Sequence, residues 1–201
     1  MELKRYIPKE VSNEAILSFI RKKHPNIEVY QQTMFDAYFD LSELSKDYSL
    51  RIREMNGNLE TTLKSKTKLK NEFFERTEIN EIEKICETLG MPTPSNLKKF
   101  TQLLQNLYCI KTVIKQKRTK IILNNLEISL DIVEFYKPLG KRIPPIAGAI
   151  DQKIRELRIY EAEVLDSTAK DLAINITKEL YNQNLLGEIC KLSKKELIEV
   201  V

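Results

Sequence analysis

The sequence predicts an α+β fold in which eight antiparallel strands close into a barrel, or tunnel, with helices packed on its outer side. Three observations predict this fold. Several runs alternate between apolar and polar residues with a period of two, which is typical of strands. Other runs repeat apolar residues at helical spacing and begin with capping residues. Short connections such as Asn56-Gly57 join successive strand-like runs, which favours antiparallel hairpins.

The first half of the chain is expected to contain a strand, a helix and then a meander of strands. A short strand is predicted over residues 2–8, and a helix over Ser12–Lys23, with Ser12 at its N-terminus. His24 and Pro25 then break the helix. Four alternating runs follow, and they cover residues 33–42, 48–55, 58–66 and 71–79.

Two helices and two long strands are expected next. The first helix stops at Gly90, with Pro92 behind it, and the second begins after Pro94. Residues 109–123 are predicted to form one strand with a bulge, or two strands with a turn near residues 116–118. Residues 126–136 alternate clearly and follow a tight turn at Asn124-Asn125.

The last part of the chain is expected to be mostly helical, with one strand. Residues 137–145 are predicted to be a loop, 147–157 a helix and 158–166 a strand, after which a long helix begins at Asp166. We expect one domain over residues 1–185, followed by a helical tail over residues 186–201.

The composition is that of a globular protein and excludes several classes. The 201 residues include 33 Lys and Arg against 29 Asp and Glu, so the net charge of +4 does not by itself argue for nucleic-acid binding. A single His removes most zinc sites and Ser-His-Asp triads from consideration. Three dispersed cysteines, no signal peptide and no apolar run of membrane-spanning length predict a cytoplasmic location.

The polar faces of the predicted strands carry charges of both signs, and this is the strongest functional signal. If helices cover the apolar face and the sheet closes, the polar face lies inside the barrel. Lys and Arg enclosed in this way would bind a polyanion such as a phosphate chain. Enclosed carboxylates would hold a divalent metal that shares the phosphate oxygens. The alternative is an ordinary sheet with one solvated face.

Short motifs along these strands resemble those of the CYTH domain, or triphosphate tunnel metalloenzyme, superfamily. Eight motifs occur in the family's order between residues 2 and about 165. They are Glu2-Leu3-Lys4 for the end of an opening ExExK, Asp36 to Asp40, Leu50-Arg51-Ile52-Arg53, Thr62-Leu63-Lys64, Arg76-Thr77-Glu78, Lys115 to Arg118, Glu127 to Asp131, and Glu161-Ala162-Glu163 for the closing ExE. In the alignment that keeps two motif residues, Glu2 and Lys4 match its last Glu and its Lys, and no residue matches its first Glu. In the alternative alignment Glu2 is the first Glu, Lys4 stands in place of the second and Tyr6 in place of the Lys.

The resemblance implies a role for each matching residue. The cations implied to bind phosphate oxygens are Arg51, Arg53, Lys64, Arg76, Lys115, Lys117 and Arg118. The carboxylates implied to hold Mg²⁺ or Mn²⁺ are Glu2, Glu78, Asp131, Glu161 and Glu163. Lys4 and Tyr38 match a pair that activates the attacking water in some members. A lysine among cations would be partly neutral, so Lys4 could act as a base.

These roles imply a metal-dependent phosphohydrolase that removes the terminal phosphate of inorganic triphosphate or of another small-molecule triphosphate, such as a nucleoside or thiamine triphosphate. One alternative is an adenylate cyclase that converts ATP to cyclic AMP and pyrophosphate. Others are a non-catalytic module that binds nucleotide or polyphosphate, and an RNA 5′-triphosphatase. Neither a membrane nor nucleic acid beyond such an RNA end is an expected partner, and a homodimer is left open.

Overall fold

The structure is a computed structural model and describes residues 1–41, 48–65, 68–70, 73–75, 77–139, 146 and 150–191. Within these residues, ten strands form one antiparallel sheet that is accompanied by four helices. The strands are β1 (Glu2–Tyr6), β2 (Glu28–Phe39), β3 (Tyr48–Met55), β4 (Asn58–Ser65), β5 (Lys68–Lys70), β6 (Phe73–Glu75), β7 (Glu78–Ile79), β8 (Ile110–Leu123), β9 (Leu126–Pro138) and β10 (Ile150–Val164). The helices are α1 (Asn13–Lys23), α2 (Ile82–Leu89), α3 (Leu97–Leu107) and α4 (Lys170–Asn182).

Local signals in the sequence set several of these boundaries. The Ser12 side chain accepts a hydrogen bond from the backbone N–H of Ala15 at 3.1 Å and so caps α1, as predicted. Gly90 ends α2 with φ of 65°, a left-handed conformation that glycine adopts without strain. Asn56 and Gly57, with φ of 52° and 77°, form the tight turn between β3 and β4.

The sheet curls, and its strand order is β5-β6-β1-β10-β9-β8-β2-β3-β4-β7. The run over residues 71–79, predicted as one strand, is divided between the two ends of this order. β6 pairs with β1, whereas β7 pairs with β4. Only two residues separate Glu75 from Glu78, so these two regions of the sheet lie within about 11 Å of each other. The predicted α+β antiparallel sheet is confirmed, and a fully closed barrel stays a prediction.

The helices pack on one face of the sheet and bury two apolar clusters there. Helices α1 and α4 cover strands β1, β8, β9 and β10 with side chains such as Ile16, Ile20 and Leu180. Helices α2 and α3 cover β2, β3 and β4 with side chains such as Ile85 and Phe100. The opposite face, which we call the concave face, therefore has to be enclosed by the curl of the sheet itself.

One predicted helix is corrected, and the described beginning of the predicted tail is not helical. Residues 150–157 belong to β10 and pair with β9 through two register shifts, so the helix predicted over 147–157 is wrong in its described part. The expected helical tail over 186–201 begins as an extended segment instead. The backbone N–H groups of Gly187 and Cys190 donate to the carbonyls of Tyr6 and Lys4, and Ile189 bridges Arg5. Residues 192–201 lie outside the described residues.

None of the helices in the described part of the chain is long and apolar enough to cross a membrane.

Candidate functional site

Alternation along the strands places a cluster of charged and polar residues on the concave face, and most of its described members are buried or half-buried, with only Glu78 and Glu163 exposed. Asp36, Gln116 and Asp131 are each 0% exposed, although none of the four described helices packs over this face. The burial of these polar side chains is direct support for the curl of the sheet. Further members of this polar cluster are Glu2, Lys4, Arg51, Arg53, Thr62, Lys64, Glu78, Arg118, Lys120, Glu127, Glu161 and Glu163.

The concave face is polar at one end and apolar at the other. Beyond Asp131, the side chains of Val133, Phe135 and Ile159 form an apolar group together with Tyr38. Cys190, from the extended segment beside β1, completes this group and is 0% exposed. A charged ligand on this face therefore has only the polar end to occupy.

Arg53 and Arg51 lie two residues apart on β3 and are bound very differently. Arg53 forms a bidentate pair with Asp36, with its Nε and Nη2 atoms 2.7 and 2.8 Å from the two carboxylate oxygens. Burial alone lowers the pKa of Arg53, but the hydrogen bonds and charge of Asp36 raise it overall. Arg51 lies 3.7 Å from Asp36 and donates to Thr62 at 2.9 Å. Arg51 is therefore the less committed of the two guanidinium groups.

Arg118 connects three strands through carboxylates. Its Nε and Nη2 atoms donate to Asp131 at 2.8 Å each, and Nη2 also donates to Glu161 at 2.9 Å. Gln116 donates to the same Asp131 carboxylate at 2.7 Å. Burial lowers the pKa of Arg118, but the charges of Asp131, Glu161 and Glu127 outweigh it and raise the pKa. Asp131 is thus held by a charged and a neutral donor at the centre of the site.

Lys4 lies among carboxylates, whereas we expected a ring of cations around it. Its ammonium nitrogen is 2.7 Å from Glu2 and 3.4 Å from Glu161, and the residue is 5% exposed. The carboxylates of Glu2 and Glu161 thus stand where the expectation of a partly neutral Lys4 required cations. Tyr38 lies at the boundary between the polar and the apolar end.

Three carboxylates lie side by side across three strands. Glu163 on β10 is directly opposite Glu2 on β1 and, on its other side, opposite Glu127 on β9. Desolvation raises the pKa of Glu163, and the charges of Glu2, Glu127 and Glu78 raise it further. Like charges in direct cross-strand register repel each other unless a cation lies between them.

The donor chemistry of this row fits a hard divalent cation, since Mg²⁺ and Mn²⁺ prefer carboxylate oxygens. In the described part of the chain, however, no three such side chains converge on one metal position. Internal cations bind several of these oxygens instead. Lys4 holds Glu2, and Lys120 holds Glu127 at 2.6 Å.

At the β4 edge of the sheet, Lys64 and Glu78 form an ion pair of 2.7 Å in register between β4 and β7. The Lys64 side chain is 14% exposed, so it stays close to the polar cluster. The charge of Glu78 helps to raise the pKa of Glu163 on β10, so this edge of the sheet lies near the carboxylate row. The curl of the sheet thus brings residues from both ends of the strand order together.

The structure does not bring all of the predicted phosphate-binding residues to this site. Strand β8 runs in regular register with β9, so Lys115 and Lys117 face away from Gln116 and Arg118. Lys115 lies over the Phe35 ring and 4.0 Å from Glu134, and Lys117 is exposed. Strand parity thus places both side chains on the face opposite the polar cluster. Arg76 lies outside the described residues.

The sequence prediction missed two side chains that organise the site. Asp36 was recognised only as part of a motif, yet it holds Arg53 and neighbours Arg51. Gln116 was not identified, yet it binds Asp131. The alternation in the sequence contains this information. Asp36 is two residues from Tyr38 and Gln116 is two residues from Arg118, so each lies on the same face of its strand as a predicted site residue.

Comparison with known proteins gives one family and one set of viral relatives. A family model described as the CYTH domain matches residues 1–183. The virion morphogenesis protein OPG132 of variola virus is 25% identical over 130 residues, which are 61% of this chain and 33% of that protein. The chain therefore matches only about a third of the length of this curated relative.

Solved structures are similar in fold over nearly the whole chain. A candidate adenylyl cyclase from Hippeastrum, reported to have a dominant triphosphatase activity, has a TM-score of 0.60 at 16% identity, covering 99% of this chain and 94% of its own. A chain of the Schizosaccharomyces pombe Mediator head module has a TM-score of 0.54 at 10% identity, covering 94% and 96%. At these identities the likeness concerns the fold alone.

Proposed function

Because the chain belongs to the CYTH domain family, we propose that its concave face binds a triphosphate together with a divalent metal and hydrolyses the terminal phosphoanhydride bond. The observation that carries the proposal is the enclosure of Arg51, Arg53, Lys64 and Arg118 beside a row of carboxylates. Cations fixed in a site of low dielectric constant bind a phosphate chain far more strongly than the same cations in water.

The proposed role of each cation depends on the ion pairs that it already forms in the structure. Arg51, with an uncommitted Nε, and Lys64, at the sheet edge, are the groups best placed to take up phosphate oxygens. Arg53 and Arg118 add positive charge while they hold Asp36 and Asp131 in place. Phosphoryl transfer depends mainly on such positioning and charge neutralisation.

The carboxylates of Glu2, Glu161, Glu163, Asp131 and Glu78 would hold Mg²⁺ or Mn²⁺. When bound, the metal would neutralise charge on the phosphate oxygens. Lys4 and Tyr38 are the proposed pair that orients the attacking water at the boundary of the polar end.

A second candidate, a binding module without turnover, is favoured by one observation. In the described structure, Lys4, Arg118 and Lys120 already neutralise Glu2, Asp131 and Glu127. A site that is balanced by internal cations can hold a polyanion without activating water.

A product assay separates these functions. The purified chain is incubated with inorganic triphosphate, ATP or 5′-triphosphate RNA and either Mg²⁺ or Mn²⁺. Release of phosphate supports the hydrolase, and its restriction to the RNA supports an RNA triphosphatase. Pyrophosphate with cyclic AMP supports a cyclase, and tight binding without any product supports the binding module. No binding and no product would contradict the proposal.

A further inference from the structure

The carboxylate row of Glu2, Glu163 and Glu127 has an ammonium group at each end. The Nζ atom of Lys4 lies 2.7 Å from Glu2, and the Nζ atom of Lys120 lies 2.6 Å from Glu127. The middle member, Glu163, has the other two acids as its cross-strand neighbours. Because Lys4 lies on β1 and Lys120 on β8, cations of the same chain bracket the row from both sides.

The two lysines differ in burial and in their relation to the sequence motifs. Lys4 is 5% exposed and also lies 3.4 Å from Glu161 on β10. The Lys120 side chain is 28% exposed, and it lies on the same face of β8 as Arg118, two residues away. The motif on this strand ends at Arg118. Lys120 is therefore a cation of the polar cluster to which no motif assigns a role.

The described members of the polar cluster nearly balance each other in charge. Six Lys and Arg side chains face seven Asp and Glu side chains, which gives a net charge of −1. The lysines that neutralise the carboxylate row would have to leave it before they could bind phosphate oxygens. A metal on the row would in turn have to replace them.

Either ligand alone would leave buried charges without partners. A metal that displaced Lys4 would leave its ammonium buried without a carboxylate. A triphosphate that drew Lys4 and Lys120 away would leave the row of like charges without its cations. When both ligands bind, each lysine exchanges a carboxylate for a phosphate, and each carboxylate exchanges an ammonium for the metal. All of these charges then keep a partner.

We propose that Lys4 and Lys120 are exchangeable counter-ions, which hold the carboxylate row before ligands bind and turn to the triphosphate when it binds together with the metal. Metal and triphosphate therefore bind with strong positive coupling, and this coupling is reciprocal. The inference rests on the proposed function. It adds the dependence of the two ligands on each other, and it places Lys120 among the phosphate-binding residues.

The first test measures Mn²⁺ binding without triphosphate, from the electron paramagnetic resonance signal of free Mn²⁺. Lys4→Gln and Lys120→Gln each remove a cation that competes for the row, so each should lower the Kd of Mn²⁺ by about tenfold. Lys117→Gln is the matched control, because Lys117 lies on the same strand as Lys120 and faces the other side of the sheet. It should leave the Kd within about twofold of wild type.

The second test measures imidotriphosphate binding by calorimetry in Mg²⁺, and there the same variants should act in the opposite direction. Lys4→Gln and Lys120→Gln should each raise the Kd by about tenfold, because each removes a cation that turns to the phosphates. Lys117→Gln should again be close to wild type. Tighter Mn²⁺ binding together with weaker imidotriphosphate binding is the result that an exchange of partners predicts.

Nuclear magnetic resonance follows the exchange itself. The side-chain ¹³Cε signals of Lys4 and Lys120, assigned by their loss in the two variants, should shift when Mg²⁺ and imidotriphosphate are added together. Either ligand alone should shift them much less. If Lys4→Gln does not fold, the more exposed Lys120→Gln carries the test.

The outcomes separate this inference from the proposed function. If wild type binds imidotriphosphate in Mg²⁺ but neither variant binds Mn²⁺ more tightly, the exchange is overturned and the proposed function stands. Equal effects from Lys117→Gln would also overturn it, because they would show a general effect of charge. If wild type does not bind imidotriphosphate with Mg²⁺, the proposed function fails, and this inference fails with it.

Discussion

Glu163 on β10 lies directly opposite Glu2 on β1, so two carboxylates of like charge form one cross-strand pair. Glu127 extends this pair to a row of three on β9. A folded protein gains nothing in stability from such a row, because adjacent like charges destabilise a sheet. Lys4 and Lys120 offset part of this repulsion at Glu2 and Glu127, and the divalent cation proposed above would offset the rest.

The first prediction concerns the stability cost of this row. The pKa of Glu163 is raised by folding, so the folded state binds a proton more tightly there than the unfolded state. The free energy of unfolding therefore falls as the pH rises through the folded-state pKa of Glu163, because the folded protein then has to hold a carboxylate where it favours a carboxylic acid. In EDTA at pH 8, Glu163→Gln should raise the free energy of unfolding by a few tenths to about 1 kcal/mol, and the gain should disappear at acidic pH.

Urea unfolding at several pH values measures this effect. Glu156→Gln is the control on the same strand, because the pKa of Glu156 is lowered by its hydrogen bond to Lys153. That variant should not gain stability at pH 8. Equal effects from the two variants would remove the argument for a cation site at Glu163.

The second prediction concerns the buried pair of Arg118 and Asp131. Arg118→Met should destabilise the protein by about 3–5 kcal/mol, because it leaves the fully buried Asp131 without its charged partner. The double variant with Asp131→Asn should recover part of this loss. Chemical denaturation of the single and double variants measures the coupling, and the exposed neighbour Lys117→Met should stay within about 0.5 kcal/mol of wild type. Additive effects would contradict this pairing.

The third prediction separates the two arginines of β3. Arg53→Gln should mainly lower stability, since it breaks the bidentate pair with the buried Asp36. Arg51→Gln should leave stability within about 1 kcal/mol and should weaken imidotriphosphate binding by tenfold or more. Calorimetric titration and urea unfolding of both variants measure the contrast. Unchanged binding in Arg51→Gln would move the phosphate site away from Arg51.

The fourth prediction concerns water activation. If Lys4 and Tyr38 orient the attacking water, Lys4→Gln and Tyr38→Phe should each lower kcat for triphosphate hydrolysis by about a hundredfold or more. Lys115→Gln is the matched control, because Lys115 lies on the opposite face and should retain its kcat. Steady-state kinetics in Mg²⁺ provide the comparison. Turnover that survives both substitutions would leave these residues a structural role only.

The strand alternation in the sequence predicted most of the sheet and much of the site. The two arginines of β3 were placed correctly on one face because a strand repeats every two residues. By the same rule Lys115 and Lys117 lie on the opposite face of β8 from Arg118. The motif from Lys115 to Arg118 includes residues of both faces, so it could not place all of its cations at one site. The partner of each charge was not predictable, since the approach of Arg118 to Glu161 depends on the register of three strands.

The first half of β10 shows where local pattern fails. Ile150, Ile154 and Leu157 recur at helical spacing, so the segment was predicted as a helix. In the structure, it pairs with β9, and the hydrogen bonds available along that strand override the local preference. The cavity at the outer edge of β4 was not predictable from the sequence either, because β4 and the two helices that line it are separate segments of the chain.

The most direct test of the central claim is a crystal structure of the complex with imidotriphosphate and Mn²⁺. The account predicts phosphate density in contact with Arg51 and Arg118, and an anomalous manganese peak beside Glu161 and Glu163. A triphosphate bound elsewhere, or a concave face with neither phosphate nor manganese density at saturating concentrations of both, would contradict it.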